Sequence, residues 1–171
     1  MVNENFSMYE VTPNTLALIS NKIDGRYVTQ LLEDREYYYI KKSPSKVMDL
    51  ACKFFGSSLK GRQDGVKDMC NFSNKVPICI DPSSGMYFFP TSSPQNANCS
   101  WVAHSHIDQI KKLRSQSTQI TFKNGQSIVL AISHGSLLNQ IQRTAQYRYL
   151  LDKRIKYLMQ TNNADMVAES N

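Results

Sequence analysis

Residues 8–40, MYEVTPNTLALISNKIDGRYVTQLLEDREYYYI, contain four strand-like runs that short polar breaks separate. The four runs are Met8–Val11, Thr15–Ile19, Tyr27–Leu31 and Tyr37–Ile40. Alternation of apolar and polar residues is typical of half-buried strands, and breaks such as Asp24-Gly25 are typical of hairpin turns. This stretch therefore predicts an antiparallel meander.

Two further segments predict more sheet. Thr118–Phe122 and Ser127–Ile132 flank Asn124-Gly125, which is a strong signal for a hairpin. Residues 76–102 have the composition of irregular strands, because Asp81-Pro82 and two later prolines interrupt them.

A short helix is expected near residues 44–55. Ser43-Pro44 supplies a cap and a first-turn proline, and apolar residues then recur at helical spacing. The last of these apolar residues are Phe54 and Phe55. We expect both rings to lie in the core, because buried aromatic side chains are ordinary core residues.

A long helix is expected near residues 136–160, where the chain has no proline or glycine. Its apolar residues, from Leu137 to Leu158, fall on one stripe. Residues 161–171 are polar and acidic and are expected to form a flexible tail. Together with the strands, the helices predict an α+β fold, an antiparallel, sheet-rich single domain over residues 1–160.

The composition is that of a globular chain. Of its 171 residues, 41% are apolar and 20% are charged, which allows a substantial core. The sequence has neither the features of a signal peptide nor an apolar run long enough to cross a bilayer. We therefore expect a cytoplasmic protein without a membrane partner. The four cysteines lack any Cys-x-x-Cys spacing and are interpreted as reduced core thiols.

The formal net charge of +6 is concentrated in one part of the chain. Residues 1–100 carry 11 basic residues against 10 acidic ones, whereas residues 101–160 carry 9 against 2. A basic protein can be merely soluble, since net charge also serves solubility. Clustering of the charge on one segment nevertheless favours nucleic acid as a partner.

Residues 52–62, CKFFGSSLKGR, combine two glycines and two serines with Lys53, Lys60 and Arg62. Glycines allow close approach of the backbone and the cations would neutralise phosphates, so the stretch is predicted to be a basic loop that holds a polyanion. The two glycines have the spacing of a nucleotide-binding loop. The lysine and the hydroxyl that such a loop needs after its second glycine are absent, which argues against an NTPase.

Further candidate contacts lie in the basic segment of the chain. Arg143, Arg148 and Arg154 belong to the predicted long helix, and Lys111 and Lys112 precede it. Arg148 falls within the apolar stripe, so it is either paired with a carboxylate inside the fold or directed at something that the stripe does not cover. The alternative for the basic residues is a solvated helix face. We predict these five cations, and the three of the basic loop, as the DNA-binding residues.

Catalytic and metal-binding sets are not convincing. Cys99, His104 and His106 lie close in sequence, but on a strand Cys99 would point away from both histidines. Two ligands fall short of a tetrahedral metal site, and the remaining histidine, His134, stands apart. We therefore predict no metal, no cofactor and no enzymatic activity.

Several short segments, taken together, carry a resemblance that no single motif would carry. They are Ser7–Val11, Ile23–Gly25, Cys52–Ser58 with Gly61-Arg62, Pro77–Pro82, Phe88–Thr91, Cys99–His106, Thr121–Gly125, and Asn139–Ala145 with Arg148. In this order and at this spacing the chain resembles the ComK family of bacterial competence transcription factors over most of its length.

The resemblance implies a sequence-specific activator that binds paired A/T-rich boxes of double-stranded DNA, mainly through the minor groove, as homodimers that associate into a tetramer. It also implies activation of DNA-uptake and recombination genes, positive autoregulation, a nucleoid-associated location, and RNA polymerase as a partner. Members of this family continue into a longer C-terminal region that an adaptor of a Clp protease recognises. Proteolytic control through that region is therefore in doubt here, and the adaptor stays a candidate partner.

Two other functions stay open from the sequence. A diverged paralogue could keep the fold and act as a protein-interaction module. A non-specific single-strand binder could stack bases on Tyr37, Tyr38 and Tyr39. Preference for A/T-rich duplex, for single strands or for neither separates the three functions.

Overall fold

The structure, a computed structural model, describes the backbone of residues 11–169 and the side chains of residues 11–162. Within that range it has nine strands, three α-helices and one 3-10 turn. The elements are β1 Ala17–Ile23, β2 Arg26–Glu33, β3 Glu36–Ile40, α1 Pro44–Phe54, α2 Leu59–Cys70, β4 Ile78–Asp81, β5 Met86–Pro90, β6 Trp101–Ala103, the 3-10 turn His104–His106, β7 Ile107–Lys112, β8 Thr118–Phe122, β9 Ser127–Leu130 and α3 His134–Glu169. The predicted α+β class is confirmed.

Six strands form one antiparallel sheet in the order β3-β2-β1-β6-β5-β4. The predicted meander is its first half, in which β2 pairs with both β1 and β3. The first hairpin turns at Asp24 and Gly25, whose φ angles of 48° and 76° are those that a tight hairpin turn requires. Met8 to Glu10, most of the first predicted run, lie outside the described residues.

Alternation along the strands gives this sheet two buried faces. Leu18 and Trp101 lie on the face that packs against α1, where the indole nitrogen of Trp101 donates to the Ser45 hydroxyl at 3.1 Å. Ala17 and Val102, one step along the same strands, lie on the opposite face. That face packs against the second sheet, β7-β8-β9, and against the first turns of α3. The six-stranded sheet is thus the middle layer of the domain.

The predicted basic loop over residues 52–62 is instead the junction of two helices. The chain leaves α1, turns, and enters α2 directly after Ser58. The Ser58 hydroxyl caps α2 by accepting the Gly61 N–H at 3.0 Å. Lys60 and Arg62 therefore lie on the first turn of a helix, and the loop placement predicted for them is wrong.

The expectation that Phe54 and Phe55 lie in the core is also wrong. Their side chains are 52% and 46% exposed, and their rings meet edge to face with 5.1 Å between centroids. Phe54 is the last residue of α1, and Phe55 is the residue that caps its end. Both residues lie beyond the part of the helix that Val47, Met48 and Ala51 bury against the sheet.

The predicted long helix is α3, whose 36 residues give it a length of about 54 Å. Only its first half is buried: Leu137 and Thr144 are inaccessible to solvent, whereas Leu158 is 63% exposed. The helical backbone continues through residues 161–169, and the flexibility expected of the acidic tail stays a prediction. No helix in the described range is long and apolar enough to span a membrane.

The cysteines are free thiols at different depths. Cys52, Cys79 and Cys99 are buried, whereas Cys70 is half-buried at the end of α2. Burial raises the pKa of the Cys52 thiol to about 11 and that of Cys79 to about 12. At neutral pH these thiols are protonated and poorly nucleophilic, as expected of core residues.

The Ser58 cap provides a test of α2. We expect Ser58→Ala to lower the free energy of unfolding by about 1 kcal/mol, because the Gly61 N–H loses its acceptor. Urea denaturation should show a lower midpoint with an unchanged m-value. The matched control is Ser57→Ala, since the Ser57 hydroxyl makes only a long 3.5 Å contact to the Ser58 carbonyl. Equal effects of the two substitutions would contradict the cap.

Thiol labelling tests the burial of the cysteines. Near pH 8 we expect Ellman's reagent to modify Cys70 first and the three buried thiols only as fast as the protein unfolds. Cys70→Ser should remove the fast phase, and the fast rate should rise with pH as the thiolate forms. A fast phase that survives this substitution would show that one of the buried thiols is accessible.

Candidate nucleic-acid interface

A polar groove lies between α2, the loop that follows α2 and residues 93–95, and we call it the α2 groove. Its volume is about 420 Å³. The lining residues are Asp49, Leu59, Lys60, Gln63, Lys67, Ser73, Asn74, Lys75, Val76, Ser93, Pro94 and Gln95. The lining has three lysines and one carboxylate, so its net charge is positive. The amides and hydroxyls add hydrogen-bonding groups. Such a groove suits an anionic partner.

One wall of the α2 groove is a face of α2 itself. Lys60, Gln63 and Lys67 are spaced by three and four residues, which places them on one side of the helix. Lys60 pairs with Asp64 at 3.0 Å but keeps 86% of its side chain exposed. Lys67 is exposed and has no ion-pair partner among the described residues. Its charge is therefore available to a ligand.

The opposite wall is the α2–β4 loop, residues 71–77, which carries Lys75. The Lys75 backbone is left-handed, with φ 47°. Its carbonyl oxygen accepts from Gln140 Nε2 at 2.8 Å and from Arg143 Nη1 at 3.3 Å. Arg143 Nη2 also donates to the Asn74 carbonyl at 2.7 Å. The position of this wall is thus set by side chains of α3.

Arg62 is directed into the protein. Its Nη2 lies 3.5 Å from the Ile80 carbonyl oxygen on β4, and its Nε is buried without a hydrogen-bond partner in the described structure. The thiols of Cys52 and Cys79 lie near enough to feel its charge, which opposes the larger effect of burial on their pKa values. Arg62 lies against β4 and does not line the groove.

Of the two expectations drawn for Arg148, the pairing with a carboxylate is wrong among the described residues. Its Nη1 donates to the Ser105 hydroxyl at 2.8 Å, and its guanidinium lies over the Tyr87 ring, 4.9 Å from the centroid. It takes part in none of the ion pairs among the described residues. Neighbouring His104 has a lowered pKa, because burial and then the Arg148 charge disfavour the imidazolium. Arg148 therefore completes the packing of α3 against the body of the domain.

The other predicted contacts are dispersed over the surface. Lys53 pairs with Asp49 at 2.7 Å, at the edge of the α2 groove. Lys111 and Lys112 are exposed at the end of β7, in the second sheet. Arg154 is exposed on α3. None of these four basic residues lines the α2 groove.

The groove residues that the sequence did not indicate are Gln63, Lys67, Lys75 and Gln95. The seven-residue interval between Lys60 and Lys67 is two helical turns, but it has meaning only once α2 is known to be a helix. Lys75 and Gln95 come from separate loops, so no local pattern relates them. Of the eight predicted residues, only Lys60 lines the groove, and Arg143 lies behind its wall.

His104 and His106 have partners of their own. Residues 104–106 form a 3-10 turn, so the alternation of a strand, on which the sequence argument depended, does not apply to them. His106 Nε2 lies 2.7 Å from the Pro13 carbonyl oxygen. Within the described residues, no group of three or more His, Cys, Asp or Glu side chains is placed to hold a metal ion.

Comparison with known proteins identifies the family. The family model of the ComK protein matches residues 6–156. The competence transcription factor of Bacillus subtilis (strain 168) is 36% identical over 149 residues, an alignment that covers 87% of this chain and 78% of that protein. No solved structure matches this chain. Because the match extends over most of its length, the chain belongs to the ComK family.

Proposed function

We propose that this chain is a DNA-binding activator of competence gene transcription and that the α2 groove is the surface that contacts DNA. Family membership supports the first part, since the related protein is a competence transcription factor. The observation that carries the second part is the convergence of three lysines on one polar groove. Phosphates are the anions that such a groove meets on DNA, and their neutralisation supplies most of the affinity.

The lysines of the groove are suited to phosphate. Lys67 and Lys75 are exposed point charges on flexible stems, which can adjust to the spacing of phosphate oxygens. Asp49 does not cancel them, because its carboxylate accepts the Leu59 N–H at 2.9 Å and pairs with Lys53 at 2.7 Å. Its lone pairs are thus directed at groups of the protein.

The amides of the groove are suited to bases. Gln63 and Gln95 each offer a donor and an acceptor beside the lysines. A side-chain amide can bond the edge of an adenine in the major groove or the acceptors of an A·T pair in the minor groove. These side chains are our candidates for sequence readout, while the lysines fix the position of the protein on the duplex.

The finer features of the function are also proposals. We propose paired A/T-rich boxes as the target, because the narrow minor groove of A-tracts has a strong negative potential that attracts cations. Homodimers that associate into a tetramer on DNA, contact with RNA polymerase, autoregulation and a nucleoid location belong to the same proposal. Recognition by an adaptor of a Clp protease is a further candidate interaction.

A binding titration at fixed, near-physiological salt tests the DNA target. The probes are a duplex with two A-tract/T-tract boxes, the same duplex with G·C substitutions, and the matching single strand. We expect a preference of about a hundredfold or more for the A/T-rich duplex, near the lower end of the range for specific binders. A preference for the single strand would favour the stacking function, and equal weak binding to both duplexes would favour an interaction module.

Paired charge substitutions test the location of the interface. We expect Lys67→Gln with Lys75→Gln to weaken binding to every duplex and to lower the salt slope by about two units, one for each lost phosphate contact. Lys111→Gln with Lys112→Gln removes the same charge from the second sheet and is the matched control. If only the control pair lowers the slope of the salt dependence, the DNA-binding surface lies at β7 and not at the α2 groove. Unfolding midpoints should be the same for both pairs.

A further inference from the structure

We propose that Arg143 is a positioning residue for DNA binding: it holds the α2–β4 loop so that Lys75 lines the α2 groove, and it does not itself contact phosphate. This inference rests on the proposed function of the groove. The sequence analysis of its charge predicted that Arg143 contacts DNA directly, whereas the role proposed here is indirect.

Three hydrogen bonds from Nη1 and Nη2 and one ring contact engage the guanidinium of Arg143. Nη2 donates to the Asn74 carbonyl at 2.7 Å, and Nη1 donates to Gln140 Oε1 at 2.7 Å and to the Lys75 carbonyl at 3.3 Å. The planar group also lies over the Phe72 ring, 4.4 Å from its centroid. A phosphate that bound the Nη1 or Nη2 donors engaged here would compete with contacts that the loop already makes.

The loop needs such a support because its own backbone is unfavourable. Asn71, which ends α2, and Lys75 both adopt left-handed conformations, with φ angles of 57° and 47°. Asparagine often adopts this region at the end of a helix, whereas lysine avoids it unless surrounding contacts hold it there. Arg143 binds the carbonyl groups of Lys75 itself and of Asn74, the residue before it. The contacts therefore fix the segment that presents Lys75.

The shape of arginine is essential to this role. One planar fork spans two successive carbonyl groups while its face stacks on a ring, whereas a lysine ammonium is a single point of charge. Burial lowers the pKa of Arg143, yet the guanidinium stays charged at any physiological pH. Replacement of Arg143 by lysine thus keeps the charge and loses the fork, which separates positioning from phosphate contact.

The test measures DNA affinity and salt slope for Arg143→Lys, Arg143→Gln, Lys75→Gln and the double variant Arg143→Gln with Lys75→Gln. We expect Arg143→Lys and Arg143→Gln to weaken binding alike, by about tenfold, as Lys75→Gln does. In the double variant, loss of Arg143 should add little to loss of Lys75, because both act through one contact. Arg114→Lys is the matched control, because Arg114 is exposed after β7 and does not line the α2 groove, and this variant should bind as the native chain does.

Hydrogen exchange of the free protein provides a readout that does not depend on DNA. We expect amides of residues 72–76 to exchange faster in both Arg143 variants and at the native rate in Lys75→Gln. Native binding by Arg143→Lys, together with additive losses in the double variant, would show a phosphate contact and overturn the inference. Unchanged exchange in Arg143→Gln would overturn it as well.

One outcome separates this inference from the function on which it rests. If the Arg143 variants loosen the loop but Lys75→Gln binds DNA normally, the groove assignment fails and the role of Arg143 in binding fails with it. If Lys75→Gln weakens binding while the loop stays protected in Arg143→Gln, the groove stands and only the positioning role is overturned.

Discussion

The buried amide of Gln140 connects the parts of this domain that matter for its candidate site. The side chain is 4% exposed, and its Nε2 donates at 2.8 Å both to Pro90, at the end of β5, and to Lys75, in the α2–β4 loop. Its oxygen accepts from Arg143 at 2.7 Å. A buried amide that loses partners costs about 1–3 kcal/mol for each unsatisfied group. The sheet, the loop and α3 are therefore held in one relative arrangement, and the wall of the α2 groove is part of it.

The sequence predicts those elements whose signals are local. The meander β1–β3, the hairpin of β8 and β9, and the helices α1 and α3 each carry their own periodicity within one continuous stretch, and each is present. The helix α2 carries no such signal, because only Leu59 and Val66 are buried in it and two glycines interrupt it. Its stability comes from the Ser58 cap and from packing on α1, α3 and β4, which a single-sequence pattern does not contain.

The candidate site was harder to predict, because a sequence gives the number of cations in a segment and not their directions. Arg62, Arg143 and Arg148 all contact carbonyl groups, hydroxyls or rings of their own fold. A guanidinium has five donors in one plane and is weakly hydrated, so it tolerates partial burial better than an ammonium does. Lysine instead keeps its charge in water. It is consistent with this difference that the cations lining the α2 groove are Lys60, Lys67 and Lys75.

A groove built in this way has a consequence for specificity. Contacts from lysine to phosphate are independent of sequence, and each adds to the binding of any duplex. The α2 groove has two glutamine amides for base readout, Gln63 and Gln95. One good contact to a base favours the correct base over a wrong one by only about 1–3 kcal/mol. Specific binding of DNA exceeds non-specific binding by about 4–10 kcal/mol. Two amide contacts together supply about 2–6 kcal/mol, which reaches only the lower part of that range. On the proposed function, DNA shape and a second groove on the same duplex would supply further discrimination. The proposed dimer on paired boxes would provide that second groove, so the limited base readout of one groove is compatible with a specific activator.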